Sequence, residues 1–547
     1  MSASGERAIL PPRQIKGGSW VEWLTTTDHK RIGLLTFGTG LVFLFAMGAL
    51  AMIMRTQLSQ PDNSFLTPEQ YNQIFTMHGS GMIALAITPL ALGYGVYLVP
   101  LQVGSPVIAA PRVTLLGYWM YVAGGITLLY GAATPGGAAD SWWSYLPLSD
   151  VRYTPGTGED LWIIGMFLAT GGMILLAGTI LWTVLRLRAP GVTMLRLPLF
   201  TWAQVVTTLM TLAGFPSLLG GLCVLMASRV DPSFVGNFWS FAYQNLFWFY
   251  GHPVVYVMFF PFVGCVDEVL ATFAGRRFFA YPAEVLALLG FSVGSMAVWG
   301  HHLFATGQSA NDYFSLTSIL LTIPAGIEYF GFLGTLLHAR LRYPPAMLFA
   351  LAFIPQFLIG GITGIMVAMP SLDYMFNDSF FVVGHFHYTL FGGSVFGLFA
   401  GIYFWFPKAT GVRLNDRLGK IHFWLMVIGT NTAFMPMFFL GYFGMPRRIV
   451  TYPVSAGWGT LNLISTVGAF ILGVSFLLFA YIVYHSVRHR TPQPPNPWGA
   501  YTLEWATSSP PPRFNFNAEY PVPKVRSYAP LLDLRERARE EEMESRA

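Results

Sequence analysis

Six histidines carry the chemistry of this sequence. His385 and His387 stand two residues apart in FVVGHFHYTLFGG. The surrounding segment is long and apolar, where imidazoles are costly unless something uses them. At about 100° per residue, positions i and i+2 of a helix point roughly 200° apart. One helix therefore offers a histidine to each of two opposite neighbours, whereas a single metal is better served by i and i+3 or i+4. His78, His252, His301 and His302 lie in other apolar runs. One buried histidine is an ordinary core residue, but six in an almost charge-free chain are a ligand set. Imidazole is the common neutral ligand of iron and copper. A six-coordinate haem takes two axial histidines and a five-coordinate one takes one. A copper with three imidazoles accounts for the rest.

The elements that must position these groups are membrane helices. Of 547 residues, 54% are hydrophobic and 10% charged, against about a quarter charged in a soluble domain. Mean hydropathy is +0.52. Apolar runs of the ~20 residues a bilayer requires fall near 32–54, 74–100, 113–133, 161–185, 199–226, 238–264, 283–304, 313–337, 345–369, 380–406, 421–443 and 461–484. The expectation is an all-α, polytopic bundle of about twelve transmembrane helices. It has a cytoplasmic segment 1–31, a bundle 32–490 and a Pro-rich cytoplasmic tail 491–547 that straps the inner face and ends in a charged stretch. Cys223 and Cys265 are the two cysteines, with no CxxC or CxxCH. Thiolate metal sites and covalent haem within this chain are thereby excluded. The net charge of +5 is modest, and nothing implies a nucleic-acid partner.

Lys and Arg alternate regularly between loops, which puts both termini in the cytoplasm of a multi-pass protein of a prokaryotic inner membrane. With that topology, all six histidines fall in one layer of the outer half. His29, His338, His422, His485 and His489 read instead as interfacial residues at inner helix ends. Arg447 and Arg448, in GMPRR, break the charge rule on the outer side. Such a pair awaits an anion, which haem propionates would supply.

At this point the motifs FTMHGSGM, WFYGHPVVY, WGHH, VVGHFHY, GMPRR and NPWGAYTLEW, in that order, identify a resemblance to subunit I of the haem–copper oxidase superfamily, nearest the cytochrome c oxidase type. It runs from TTDHKRIG to the PPPRFNF tail. The resemblance implies that His78 and His387 hold a low-spin haem, that His385 holds a high-spin haem, and that His252, His301 and His302 hold copper. It also implies that Tyr256, four residues after His252, is bonded to that histidine and supplies an electron and a proton in O₂ cleavage. Trp248 is expected to pack beside the copper site.

The departures concern protons. Proton-pumping relatives have HPEVY where this chain has HPVVY, and GAPDMAFPR where it has GSPVIAAPR. Val254 and Val107 cannot relay protons, so that route is closed. A lysine route reading PTGIK becomes PAGIE, with Glu328 the only carboxylate expected deep within a span and no lysine deep in any span. An intramembrane acid is a functional hypothesis by default, so Glu328 is expected to feed protons towards Tyr256. Ser318 and Thr322 would assist, and Glu284 is a weaker entrance. Asn377–Asp378 replaces the HD of the family's magnesium loop, leaving Asp378 as a candidate ligand.

The expected activity is that of the catalytic subunit of a terminal oxidase reducing O₂ to water. The alternative is a nitric oxide reductase of the same superfamily, which Glu328 and Val254 favour and Tyr256 opposes. A twelve-helix transporter is the remote reading, and would show internal repeats and broken helices about a mid-membrane site. Other oxidase subunits, including an electron-accepting subunit II, and a donor such as cytochrome c are the implied partners.

Overall fold

The computed structural model describes residues 19–134, 136–231, 236–307 and 309–546. Most of the N-terminal segment 1–31 lies outside them. Twelve helices among the described residues are long and apolar enough to cross a membrane. Spans 1 to 6 are His29–Gln57, Pro68–Gln102, Pro111–Ala133, Gly158–Arg186, Leu199–Val230 and Phe238–Ala274. Spans 7 to 12 are Tyr281–Thr306, Asn311–Leu336, Pro345–Val367, Phe380–Thr410, Asp416–Tyr442 and Gly459–Arg488. The fold is the expected all-α bundle, with two isolated β-bridges among the described residues.

Helix starts follow local chemistry. Thr67 caps span 2 through Gln70 N at 3.2 Å, and Gln70 Oε1 returns the bond to Thr67 N at 3.0 Å. This reciprocal cap, followed by Pro68, fixes the entry of the helix that carries His78. Ser379 caps span 10 through Phe381 N at 3.2 Å. Small residues let helices meet closely: a Cβ on Gly124 of span 3 would stand 2.6 Å from Gly165 O of span 4.

Among the spans that depart from regular α-helix, four do so next to a histidine; span 8 also breaks, at Leu321. Span 2 becomes π-helical over Met82–Ile87, just after His78. Span 10 does so over Tyr388–Val395, just after His387. Span 7 ends in a 3₁₀ segment, Trp299–Thr306, that holds His301 and His302. Span 6 contains Pro253 and breaks at Met258–Phe259. Such irregularities re-aim side chains and are frequent at functional sites.

Some expectations are corrected. Span 6 runs ten residues beyond 264, to Ala274, because Asp267 and Glu268 interrupt the apolar run without ending the helix. Both are buried inside it, so Glu328 is not the only carboxylate deep in a span. Lys408, near the end of span 10, is fully buried, with its Nζ donating to Thr507 O and Ser508 O at 2.8 and 3.1 Å. His29 and His422 are not interfacial. His29 is buried between Val96 O and Asn515, and His422 lies in an aromatic cage with Phe349, Phe399 and Phe479.

The tail packs along the span ends. Trp498, Leu503 and Trp505 are buried there. Gln102 and Trp405 donate to Glu504 Oε1 at 3.1 and 3.0 Å. Burial raises the Glu504 carboxyl, partly offset by those bonds. The last stretch is a helix, Pro530–Arg546. Arg277 clamps it through Asp533 Oδ1 at 2.6 Å and Glu536 Oε1 at 2.7 Å.

Candidate metal centre

His78, His252, His301, His302, His385 and His387 all line one cavity of about 1450 Å³. That exceeds the roughly 300–1,000 Å³ of a site for one small ligand. Two subsites occupy it.

The first is built from His252, His301 and His302. His252 Nδ1 lies 2.9 Å from His301 Nε2 and 3.3 Å from His302 Nε2, and the latter two are 3.1 Å apart. Three imidazole nitrogens this close, on a chain without a cysteine nearby, fit a copper ion. They are the one group of three His, Cys, Asp or Glu donors among the described residues that meets metal-site geometry. The supporting contacts set each ring. His301 Nδ1 is 2.7 Å from Ser318 Oγ. Trp248 stacks flat on His302, with centroids 3.9 Å apart and an interplanar angle of 15°, and Trp248 Nε1 donates to the Tyr145 hydroxyl. Ser318 therefore orients His301, and Trp248 packs on His302. Tyr256 lies beside His252 at a ring separation of 4.8 Å. The remaining nitrogen, His252 Nε2, is buried without a partner.

The second subsite is a set of three histidines that present Nε2 alone. His78 Nδ1 is tied to Met47 O at 2.8 Å, His387 Nδ1 to Val383 O at 2.8 Å and His385 Nδ1 to Gly360 O at 3.0 Å. A carbonyl on Nδ1 fixes the tautomer that leaves the Nε2 lone pair for iron. His387 and His78 lie within reach of each other's charge. His385 lies within reach of His252 and His301. His387 thus neighbours His78, and His385 neighbours the three-histidine group. These residues fit two haems, one between His78 and His387 and one on His385.

Arg447 and Arg448 close one end of the cavity. Their loop is pinned to the start of span 10 by Phe380 N donating to Met445 O at 3.0 Å and Arg447 N to Asp378 O at 2.8 Å. Arg448 lies 3.7 Å over the Trp143 ring, and Arg447 lies over Phe386, between the two histidines, at 5.9 Å. Burial pulls the guanidiniums down, Arg447 to about 10 and Arg448, with Arg447 adding like charge, to about 9. Half-buried cations at a cavity rim fit an anionic ligand group. Asp378 Oδ1 faces Arg448 at 3.2 Å and Arg447 at 3.8 Å. One carboxylate already facing two cations does not by itself form a magnesium site.

Glu328 is fully buried, and neither carboxyl oxygen has a hydrogen-bond partner. Val254 is fully buried on span 6. Sequence reasoning missed Ser318 as a histidine support, the carbonyls of Met47 and Gly360, and Asp267. The carbonyls carry no side-chain signal, whereas Asp267 was visible in CVDEVL once the helix is extended.

The family model for cytochrome c and quinol oxidase polypeptide I matches residues 31–471. A putative cytochrome c oxidase subunit 1-beta of Streptomyces coelicolor is 44% identical over 525 residues, 95% of this chain and 91% of that protein. Cytochrome c oxidase subunit 1 of Corynebacterium efficiens is 44% identical over 528 residues, covering 95% and 90%. Among solved structures, a haem–copper terminal oxidase dimer superposes with a TM-score of 0.72 at 20% identity over 84% of each chain, a likeness of fold. With the matched residues spanning most of the bundle, the chain belongs to the cytochrome c and quinol oxidase polypeptide I family, as an oxidoreductase subunit of the haem–copper type.

Proposed function

We propose that this chain is the catalytic subunit of a respiratory terminal oxidase that reduces O₂ to water with four electrons and four protons. The observation that carries the reading is the convergence of His252, His301 and His302 nitrogens within 3.3 Å of one another, in the same cavity as His385. When bound, a low-spin haem, a high-spin haem and a copper supply electron transfer and the redox chemistry of O₂. His78 and His387 hold the first, His385 the second, and His252, His301 and His302 the copper. Arg447 and Arg448 bind propionates at the cavity rim. Tyr256, whose ring lies beside that of His252, supplies a proton and an electron; a Tyr256–His252 Nε2 bond would form with loss of two electrons and two protons to O₂, and His252 Nε2 is free of other partners.

The loop charges orient the histidine end outward and both termini inward. Electrons arrive through a partner subunit from cytochrome c or another donor. With Val254 and Val107 in place of acids, protons rise instead past Glu328, whose charge acts on Tyr256. Nitric oxide reduction is the second reading, and Glu328 and Val254 favour it. Tyr256 against His252 and the names of the relatives favour O₂. A pyridine haemochrome assay, with copper analysis of His302→Ala against the parent, tests the assignment. Two haems per chain and one copper lost in the variant support it; a single haem, or unchanged copper, overturns it.

A further inference from the structure

We propose that Asp267, Glu284 and Glu328 form one three-carboxyl relay that takes protons from the end of the bundle opposite the histidines and passes them towards Tyr256. The inference rests on the role given to Glu328 above and adds two members to it.

The acids come from three helices, spans 6, 7 and 8, and are 1%, 1% and 0% exposed. None of their six oxygens has a hydrogen-bond partner in the protein. An unpaired buried carboxylate is costly, and a purely structural one would be paired. The same fold does pair Glu504, with Gln102 and Trp405. The three are also arranged in depth. Counted from Tyr281, Ala274 and Leu336 at about 1.5 Å per residue, Glu284 lies about 5 Å in, Asp267 about 10 Å and Glu328 about 12 Å.

The span 8 helix of Glu328 packs against both the span 7 helix of Glu284 and the span 6 helix of Asp267, and the three acids and Tyr256 lie close enough to couple electrostatically. Gly331, one turn from Glu328, leaves open the space into which Glu284 reaches. A Cβ there would stand 2.9 Å from Glu284 Oε2. Side chains of this length, joined by water, pass protons by a simple exchange. Each acid accepts a proton on one oxygen and releases one from the other. Only O–H bonds form and break, and the relay returns to its starting state.

The test compares Asp267→Asn, Glu284→Gln, Glu328→Gln and Gly331→Ala with the parent in the assembled oxidase. The rate of proton uptake is read with a pH-indicating dye, assembly by haem spectra, and carboxylic-acid C=O bands by infrared difference spectra. The relay predicts at least tenfold slower uptake in each acid variant with haem spectra unchanged, loss of a carboxylic band in each, and recovery in Asp267→Glu. Gly331→Ala keeps all three acids but displaces Glu284, and slows uptake too. If Glu328→Gln alone slows uptake, the relay is wrong while the role of Glu328 stands. If none slows it, both fall. Should Asp267→Asn not assemble, parental uptake in Glu284→Gln and Gly331→Ala overturns the relay.

Discussion

His385 and His387, two residues apart on span 10, turn to opposite neighbours. His385 Nδ1 lies 3.0 Å from Gly360 O of span 9, while the His387 ring stacks on Phe434 of span 11 at 4.3 Å. One helix thus separates the two histidines' surroundings and joins them through its own backbone and Phe386.

That division predicts separable spectra. His387→Ala removes the low-spin haem absorption and keeps carbon monoxide binding at the high-spin haem. His385→Ala does the reverse. Optical spectra of the reduced complex, with and without carbon monoxide, decide it, and loss of the same band in both variants contradicts the division.

Gly364 is a steric test of the His385 site. A Cβ there would stand 2.9 Å from His385 Cε1, and forcing a methyl into such a contact costs about 1–3 kcal/mol. Gly364→Ala is expected to shift the carbon monoxide spectrum and cut turnover roughly tenfold, with the low-spin band unmoved. An unaltered spectrum and rate would show that the ring has room.

The flat stack of Trp248 on His302 predicts a weaker copper site without it. An aromatic pair is worth about 0.5–1.5 kcal/mol, so Trp248→Leu should weaken copper retention about 2- to 10-fold. Copper content after dialysis against a chelator measures this; parental retention would assign the stack to packing alone.

The Arg277 clamp predicts a pH-dependent tail. Arg277 hydrogen-bonds Glu536 and holds its carboxyl below the usual glutamate range. A depressed carboxyl stabilises the folded state above its unfolded value, and that contribution is lost as pH falls through the folded one. Amide protection factors over Pro530–Arg546, corrected for intrinsic exchange, should therefore fall on acidification, and at neutral pH in an Asp533→Ala, Glu536→Ala double variant. Equal exchange in parent and variant would deny the clamp its role.

The sequence made the spans and the six histidines of one cavity legible because both rest on side-chain identity and spacing. His385 and His387 announce opposite faces by the helical repeat alone. What it hid rests on tertiary contact. His29 and His422 look interfacial by position, yet the tail and an aromatic cage bury them. Asp267 looked like a span's end because a carboxylate in an apolar run mimics a boundary, and only packing of its helix against spans 5 and 8 shows otherwise. Ser318 read as a proton carrier, while its partner is His301. The backbone carbonyls that fix the haem histidines have no side-chain signature.

The central claim, O₂ reduction at a haem–copper pair, is tested most directly by steady-state turnover of the purified complex with O₂ and with NO. The account predicts rapid O₂ uptake with four electrons consumed per O₂. Rapid conversion of NO to N₂O with negligible O₂ uptake would contradict it.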